Sequence, residues 1–184
     1  MYFVVAWLLQ AKADPNFSLP NGITPVYMAA RHKRHLVTKE LLEAKADANL
    51  THVNGTTPLY VSIREGAYEP MRLLLQAKAN PLHTRRDGST PLHLAASRGN
   101  VPAVNSLLAH KVSPNRTPPN GVPPAFAAAR GGHPRCLRAL LDAGAGTHVL
   151  DGAALLEAAV DSPECCDVVR EYQELLEQPT SPLE

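Results

Sequence analysis

The chain has 184 residues, enough for one domain or one continuous repeat array, and with only 5% aromatic residues its core must be built from Leu, Ala and Val. A formal net charge of +1 excludes nothing by itself, but it hides an asymmetry: from Asp151 onward nine acidic residues face Arg170 alone, a local −8 against about +9 for the rest. Three cysteines, with Cys165 and Cys166 adjacent, exclude a disulfide framework and a zinc-ligand spacing, and they read as reduced thiols of an intracellular protein.

The first element, "YFVVAWLLQAKA" from Tyr2, is an apolar helix of roughly ten residues, too short to span a bilayer. It lacks the basic segment of a secretory leader, and its "AKAD" ending recurs at Ala44, so no cleavage site is expected there. The ending returns as "LLEAKADAN" at Leu41, "LLQAKANPL" at Leu74, and more loosely as "LLAHKVSPN" at Leu107 and "LLDAGAGTH" at Leu140. Lys12, Lys45, Lys78 and Lys111 stand 33 residues apart, as do Gly22, Gly55, Gly88 and Gly121, and Pro25, Pro58, Pro91 and Pro124. The lysines occupy the place just past a helix where the backbone turns left-handed and glycine is favoured.

Within one period the local signals agree. "NGTTPLYVSIREG" opens on an Asn-Gly turn, Thr57 suits an N-cap and Pro58 the first helical position, so a short helix is predicted that stops at Gly66. A second helix runs through "EPMRLLLQAKA" with its leucines buried, and a hairpin-like finger leads to the next turn. Such a helix pair cannot bury its apolar faces alone, so an all-α repeat solenoid of stacked helix-turn-helix units is predicted. Gly152 follows Gly121 by 31 residues, so the register slips in "AGTHVLDG". The acidic "ECCDVVREYQELLE" from Glu164 is predicted to cap the array, and "QPTSPLE" to be an unstructured tail.

The stretch "DGSTPLHLAASRGN" (Asp87 to Asn100) resembles the ankyrin repeat, whose hallmark is T-P-L-H-x-A-A-x-x-G followed by leucines and G-A-D-x-N. The resemblance implies one array over 1–178: a half repeat 1–20, repeats 21–53, 54–86, 87–119 and 120–150, a degenerate capping repeat 151–178, and a flexible tail 179–184. In this family the threonine and histidine of the motif tie helix starts to neighbouring fingers. Thr24, Thr57 and Thr90 keep the first role and Pro123 cannot; His93 keeps the second, Tyr27 and Tyr60 are candidates through their hydroxyls, and Phe126 has no donor. The unit from Asn120 is therefore expected to be the least stable of the clear repeats. At the other end "YFVVAWLL" matches a second helix with no first helix before it, and Phe3 and Trp7 imply a longer array, a shortened product or self-association through this apolar helix.

Chemistry is scarce. His133 and Cys136 have the spacing of a thiolate pair, yet His133 fills the family's Gly-His position and Cys136 a core position matching Val37, Pro70 and Ala103. His32 and His35 lack a third metal ligand, and no phosphate loop or hydrolase motif is present, so no catalytic residue, cofactor, metal or small-molecule substrate is expected. The resemblance implies instead a protein-interaction module or adaptor of the cytoplasm, or else of the nucleus, that binds its partner along the concave face of fingers and first helices. Carried over position by position, that face holds Arg31, His32, Arg64, Glu65, Ser97, Arg98 and Arg130 from the first helices, with His52, Val53, Thr56, Arg85, Arg86 and Ser89 from the fingers. Its arginines suit an acidic or phosphorylated segment through forked hydrogen bonds. The alternatives are the recognition part of a larger enzyme, such as a ubiquitin ligase or kinase, and a polyanion or nucleic-acid binder; near-neutral charge and few aromatics argue against nucleic acid. The lysine ladder lies at the far ends of the second helices, away from this face.

Overall fold

A threonine followed by proline sets the start of the first helix in three successive units. In the computed structural model, which describes residues 2–118, 122–145 and 152–177, helices α2 (Pro25–Arg31), α4 (Pro58–Arg64) and α6 (Pro91–Ser97) each open on proline. The Oγ1 atoms of Thr24, Thr57 and Thr90 accept the amides of Tyr27, Tyr60 and His93 at 3.2, 3.1 and 3.2 Å, an arrangement worth ~1 kcal/mol each. Helix α8 (Pro124–Arg130) also opens on proline, but Pro123 before it provides no side-chain cap. The finger turn at 119–121, the slipped loop at 146–151 and the tail from 178 lie outside the described residues.

The second helices are α1 (Tyr2–Gln10), α3 (His35–Glu43), α5 (Tyr68–Gln76), α7 (Val101–Ala109), α9 (Pro134–Asp142) and α11 (Pro163–Glu177), and α10 (Gly152–Ala158) is the first helix of the last unit. First helices lie on first helices, α2 on α4, α4 on α6, α6 on α8 and α8 on α10, while α1, α3, α5, α7, α9 and α11 form a parallel second layer. The interface between layers and between units is the core. Leu59, Leu74, Leu92, Leu107, Leu137 and Leu140 are fully buried in it, and small pairs such as Ala95–Ala96 and Ala128–Ala129 let first helices approach closely. The result is the predicted all-helical repeat solenoid. Among the described residues no helix is long and apolar enough to cross a membrane.

The ends of α1, α3, α5, α7 and α9 show the backbone turn that the repeated phrase implies. Lys12, Lys45, Lys78 and Lys111 have φ of 64°, 68°, 63° and 60°, the left-handed region, and the equivalent place in the next unit is filled by Gly144 at 85°. Lys33 takes the same conformation after α2 at 57°, where later units use Gly66, Gly99 and Gly132. The finger glycine is less replaceable: a Cβ on Gly22 would lie 2.4 Å from the carbonyl oxygen of Thr51 in the next finger. Fingers are joined directly as well, by Val53 N–H to Asn21 O at 2.9 Å and Arg86 N–H to Asn54 O at 3.3 Å.

A second set of bonds crosses between units through asparagine. Asn16 Nδ2 donates to Lys45 O (3.4 Å) while its Oδ1 accepts the Asp47 amide (2.7 Å). Asn49 repeats this on Lys78 O (3.5 Å) and the Asn80 amide (2.7 Å), and Asn115 Nδ2 donates to Gly144 O (3.2 Å). The left-handed residue thus presents its carbonyl to the preceding unit. The rung is broken at Leu82, which stands at the asparagine position and is 42% exposed. By the repeat register, Leu82→Asn would reach Lys111 O and the Ser113 amide. Equilibrium urea unfolding is expected to show a gain of about 0.5–1 kcal/mol; an unchanged midpoint would show that the rungs contribute nothing.

The motif aromatics act through their rings. Tyr27 stacks on His52 of the next finger, centroids 6.1 Å apart, and Tyr60 lies under the Arg85 guanidinium at 5.2 Å, so the hydroxyl role expected of Tyr27 and Tyr60 is taken by the ring faces. His93 makes the expected bond, Nδ1–H to Val122 O at 3.0 Å. Burial pushes His93 below its ordinary value of 6.5 in spite of that bond. The folded chain therefore favours the neutral ring, and the unfolded chain takes up the proton first as pH falls. Its contribution is complete above pH 6.5 and is lost as pH drops through the lower folded value. The urea midpoint is expected to fall between neutral pH and pH 5 by more in the native chain than in His93→Gln, and equal slopes would refute this.

Candidate functional site

First helices stack on first helices and fingers on fingers, and the side chains at the first-helix ends and finger tips divide into those used in stacking and those left free. Arg31, Arg64, Ser97 and Arg130 are the last residues of α2, α4, α6 and α8 and share one register position. Helices packed in this way lie ~8–10 Å apart, so the position forms a row. Arg31 and Arg130 are exposed, as is Arg98, which follows Ser97 as the C-cap of α6. Among the described residues none of these three arginines makes an ion pair. Arg64 is different: its Nε donates to Glu65 Oε1 at 2.9 Å, so the two residues proposed from the second unit neutralise each other. Ser97 Oγ turns back to Leu94 O at 3.1 Å, and His32 is exposed at the end of α2.

Several finger residues prove to be structural. Thr56 is 0% exposed, with its hydroxyl donating to Asn54 Oδ1 at 2.6 Å, so it is withdrawn from the binding set: the tight finger turn needs it inside. Arg85 is likewise engaged, over Tyr60 and against Asp87 Oδ2 at 2.9 Å, and its Nε is buried. The Ser89 amide, with Arg85 close by, holds Asp87 below the usual carboxylate range. Ser89 itself is half-buried in that turn, and His52 is half-buried between Tyr27 and Asn54 Oδ1 (2.8 Å). Val53 and Arg86 remain exposed. Of the positions expected on a partner face, Arg31, His32, Val53, Ser97, Arg86, Arg98 and Arg130 are exposed, and Arg64 and Glu65 are paired with each other.

One contributor, His83, escaped the reading of the sequence. His83 Nε2 donates to Gly55 O at 3.0 Å and so braces one finger on another, but Leu50 and Arg116 at the equivalent positions give no period to reveal it. His133 packs its ring where a Cβ on Gly99 would fall, 2.7 Å from Nδ1, and its Nε2 donates to Ser97 O at 3.3 Å, fixing the end of α6 next to Arg98. This is a structural role for the histidine of the His133–Cys136 spacing. Burial pushes the Cys136 thiol up to about 11 and also raises Cys165, so both are poor nucleophiles at neutral pH. Among the described residues no group of three or more His, Cys, Asp or Glu is placed to hold a metal.

The comparisons agree with this geometry. The chain matches the family model "Ankyrin repeats (3 copies)" over residues 1–85, 72–151 and 92–173. A search of curated proteins finds no match. Among solved structures, the crystal structure of the human ASB11 ankyrin repeat domain superposes with a TM-score of 0.78 at 22% identity, covering 93% of this chain and 82% of that one, a likeness of fold alone. Threonine-capped first helices, left-handed second-helix ends, stacked fingers and the family match over nearly the whole chain together place this protein in the ankyrin repeat family.

Proposed function

We propose that the protein is a cytoplasmic interaction module or adaptor that holds an acidic or phosphorylated segment of a partner along its fingers and first helices. Ankyrin arrays are protein-interaction modules in general, and the finer reading rests on one observation. Arg31, Arg98 and Arg130 at the first-helix ends and Arg86 in a finger are exposed, with no carboxylate of the described chain paired to them. A guanidinium held on a rigid scaffold loses little freedom on binding and offers two parallel N–H donors to a carboxylate or phosphate. A single-stranded nucleic acid would also need aromatic faces for its bases, and here Tyr27 and Tyr60 are buried under His52 and Arg85.

The row also has a polarity. The pairing of Arg64 with Glu65 leaves a neutral interval between the cations at the end of α2 and those of α6 and α8. A partner segment with two acidic clusters separated by neutral residues fits that pattern better than a uniform polyanion. In affinity capture from the native cell, the combined change Arg31→Glu, Arg98→Glu and Arg130→Glu is expected to lower partner recovery at least tenfold. Arg64→Glu alone is expected to have a smaller effect, and Lys45→Glu with Lys78→Glu none. Recovery unchanged by the triple reversal would remove this face from the account.

A further inference from the structure

Helices α4, α6 and α8 each lie between two other first helices, whereas α2 has α4 on one side only. On its other side, between α1 and α2, runs a groove of about 490 Å³ floored by Val5, Met28, Ala29 and Val37 and rimmed by His32 and Arg34. Beside it α1, a helix without a single charge, leaves Phe3 81% and Trp7 69% exposed, roughly 300 Å² of aromatic surface. Arg34 and the neighbouring Lys33 make no ion pair among the described residues. An apolar floor with an unneutralised cationic rim calls for an occupant that is apolar at its centre and acidic at its edge.

The other end of the same molecule carries that chemistry. Helix α11 runs 15 residues where α3, α5, α7 and α9 run 9. In the added length Leu175 and Leu176 are each 63% exposed. Glu171 on this helix is held by Arg138, while Glu174 is exposed and unpaired among the described residues, within the segment of charge −8. We propose that the distal part of α11 from a second copy docks in the groove between α1 and α2, its leucines on the apolar floor and Glu174 toward Arg34. A standard stable interface buries ~800 Å² per partner. Two reciprocal contacts about a twofold axis double the area and close the assembly, so the expected species is a dimer and not a filament.

Analytical ultracentrifugation in reducing buffer across the micromolar range tests this on the full chain. The native protein is expected to pass from monomer to dimer, with affinity falling several-fold between low and high salt. Leu175→Asp combined with Leu176→Asp, at positions already exposed, is expected to give a monomer of unchanged helicity. Arg34→Glu is expected to weaken the dimer at least tenfold, and Arg34→Glu with Glu174→Arg to restore most of it. A native chain that stays monomeric overturns the proposal, as does a charge exchange that restores nothing. If the leucine variant still dimerises while Trp7→Asp does not, α1 pairs with itself and the docking of α11 is overturned. The contact shares only His32 with the partner face, so loss of the dimer leaves partner capture by Arg86, Arg98 and Arg130 intact, and the two readings fail separately.

Discussion

A helix of seven or nine residues does not hold together alone in water, because the cost of nucleation is not repaid over so few hydrogen bonds. Every helix before α11 among the described residues is of that length, so each depends on a neighbour to cover its apolar face. Stacking between adjacent units is therefore the interaction on which the rest depends. It explains why the conserved spacing within the chain is kept so strictly: leucines, small-residue pairs and finger glycines must meet their counterparts one period away. It also explains why polar groups with cross-unit partners recur, as in the asparagine rungs from Asn16 to Lys45 and from Asn49 to Lys78.

The same constraint sorts side chains into scaffold and surface. A lysine in the left-handed region costs ~1–2 kcal/mol relative to an ordinary conformation. The restricted unfolded chain offsets ~0.4–1 kcal/mol of this, and a cation at a helix C-terminus ~0.3–1 kcal/mol more. The residual cost is small enough for stacking to carry, and at Lys45 and Lys78 the carbonyl accepts the asparagine of the preceding unit. The lysine side chain needs no partner to justify its presence. The arginines at the first-helix ends are different in kind. Arg85 is consumed by Tyr60 and Asp87 and Arg64 by Glu65, whereas Arg31, Arg98 and Arg130 are turned to solvent by a backbone that packing holds in place.

Much of this was legible in the residues, because a repeated sequence reports its own register. Thr57 before Pro58, Gly55 in the finger and Lys45 past α3 each announced a backbone conformation that the structure displays. The candidate surface was legible by position only. Thr56 and Arg86 both sit at variable finger positions, and nothing in the pattern says that one hydroxyl is spent inside the turn while the other side chain is free. The contact of His83 on Gly55 was silent for a related reason: it falls outside the period and is particular to one interface. At Tyr27 and Tyr60 the repeat position offers a hydroxyl as a candidate donor in place of the family's histidine, yet the neighbouring His52 and Arg85 meet the flat ring faces instead.

The central claim is that the edge of first-helix ends and finger tips receives the partner, while the second helices and their lysines are scaffold. Amide hydrogen–deuterium exchange on the full chain, with and without the partner recovered from the native cell, tests it most directly. The account predicts slowed exchange confined to the ends of α2, α6 and α8 and to the fingers around Val53 and Arg86. A footprint confined instead to the second helices and the turns at Lys12, Lys45, Lys78 and Lys111 would contradict it.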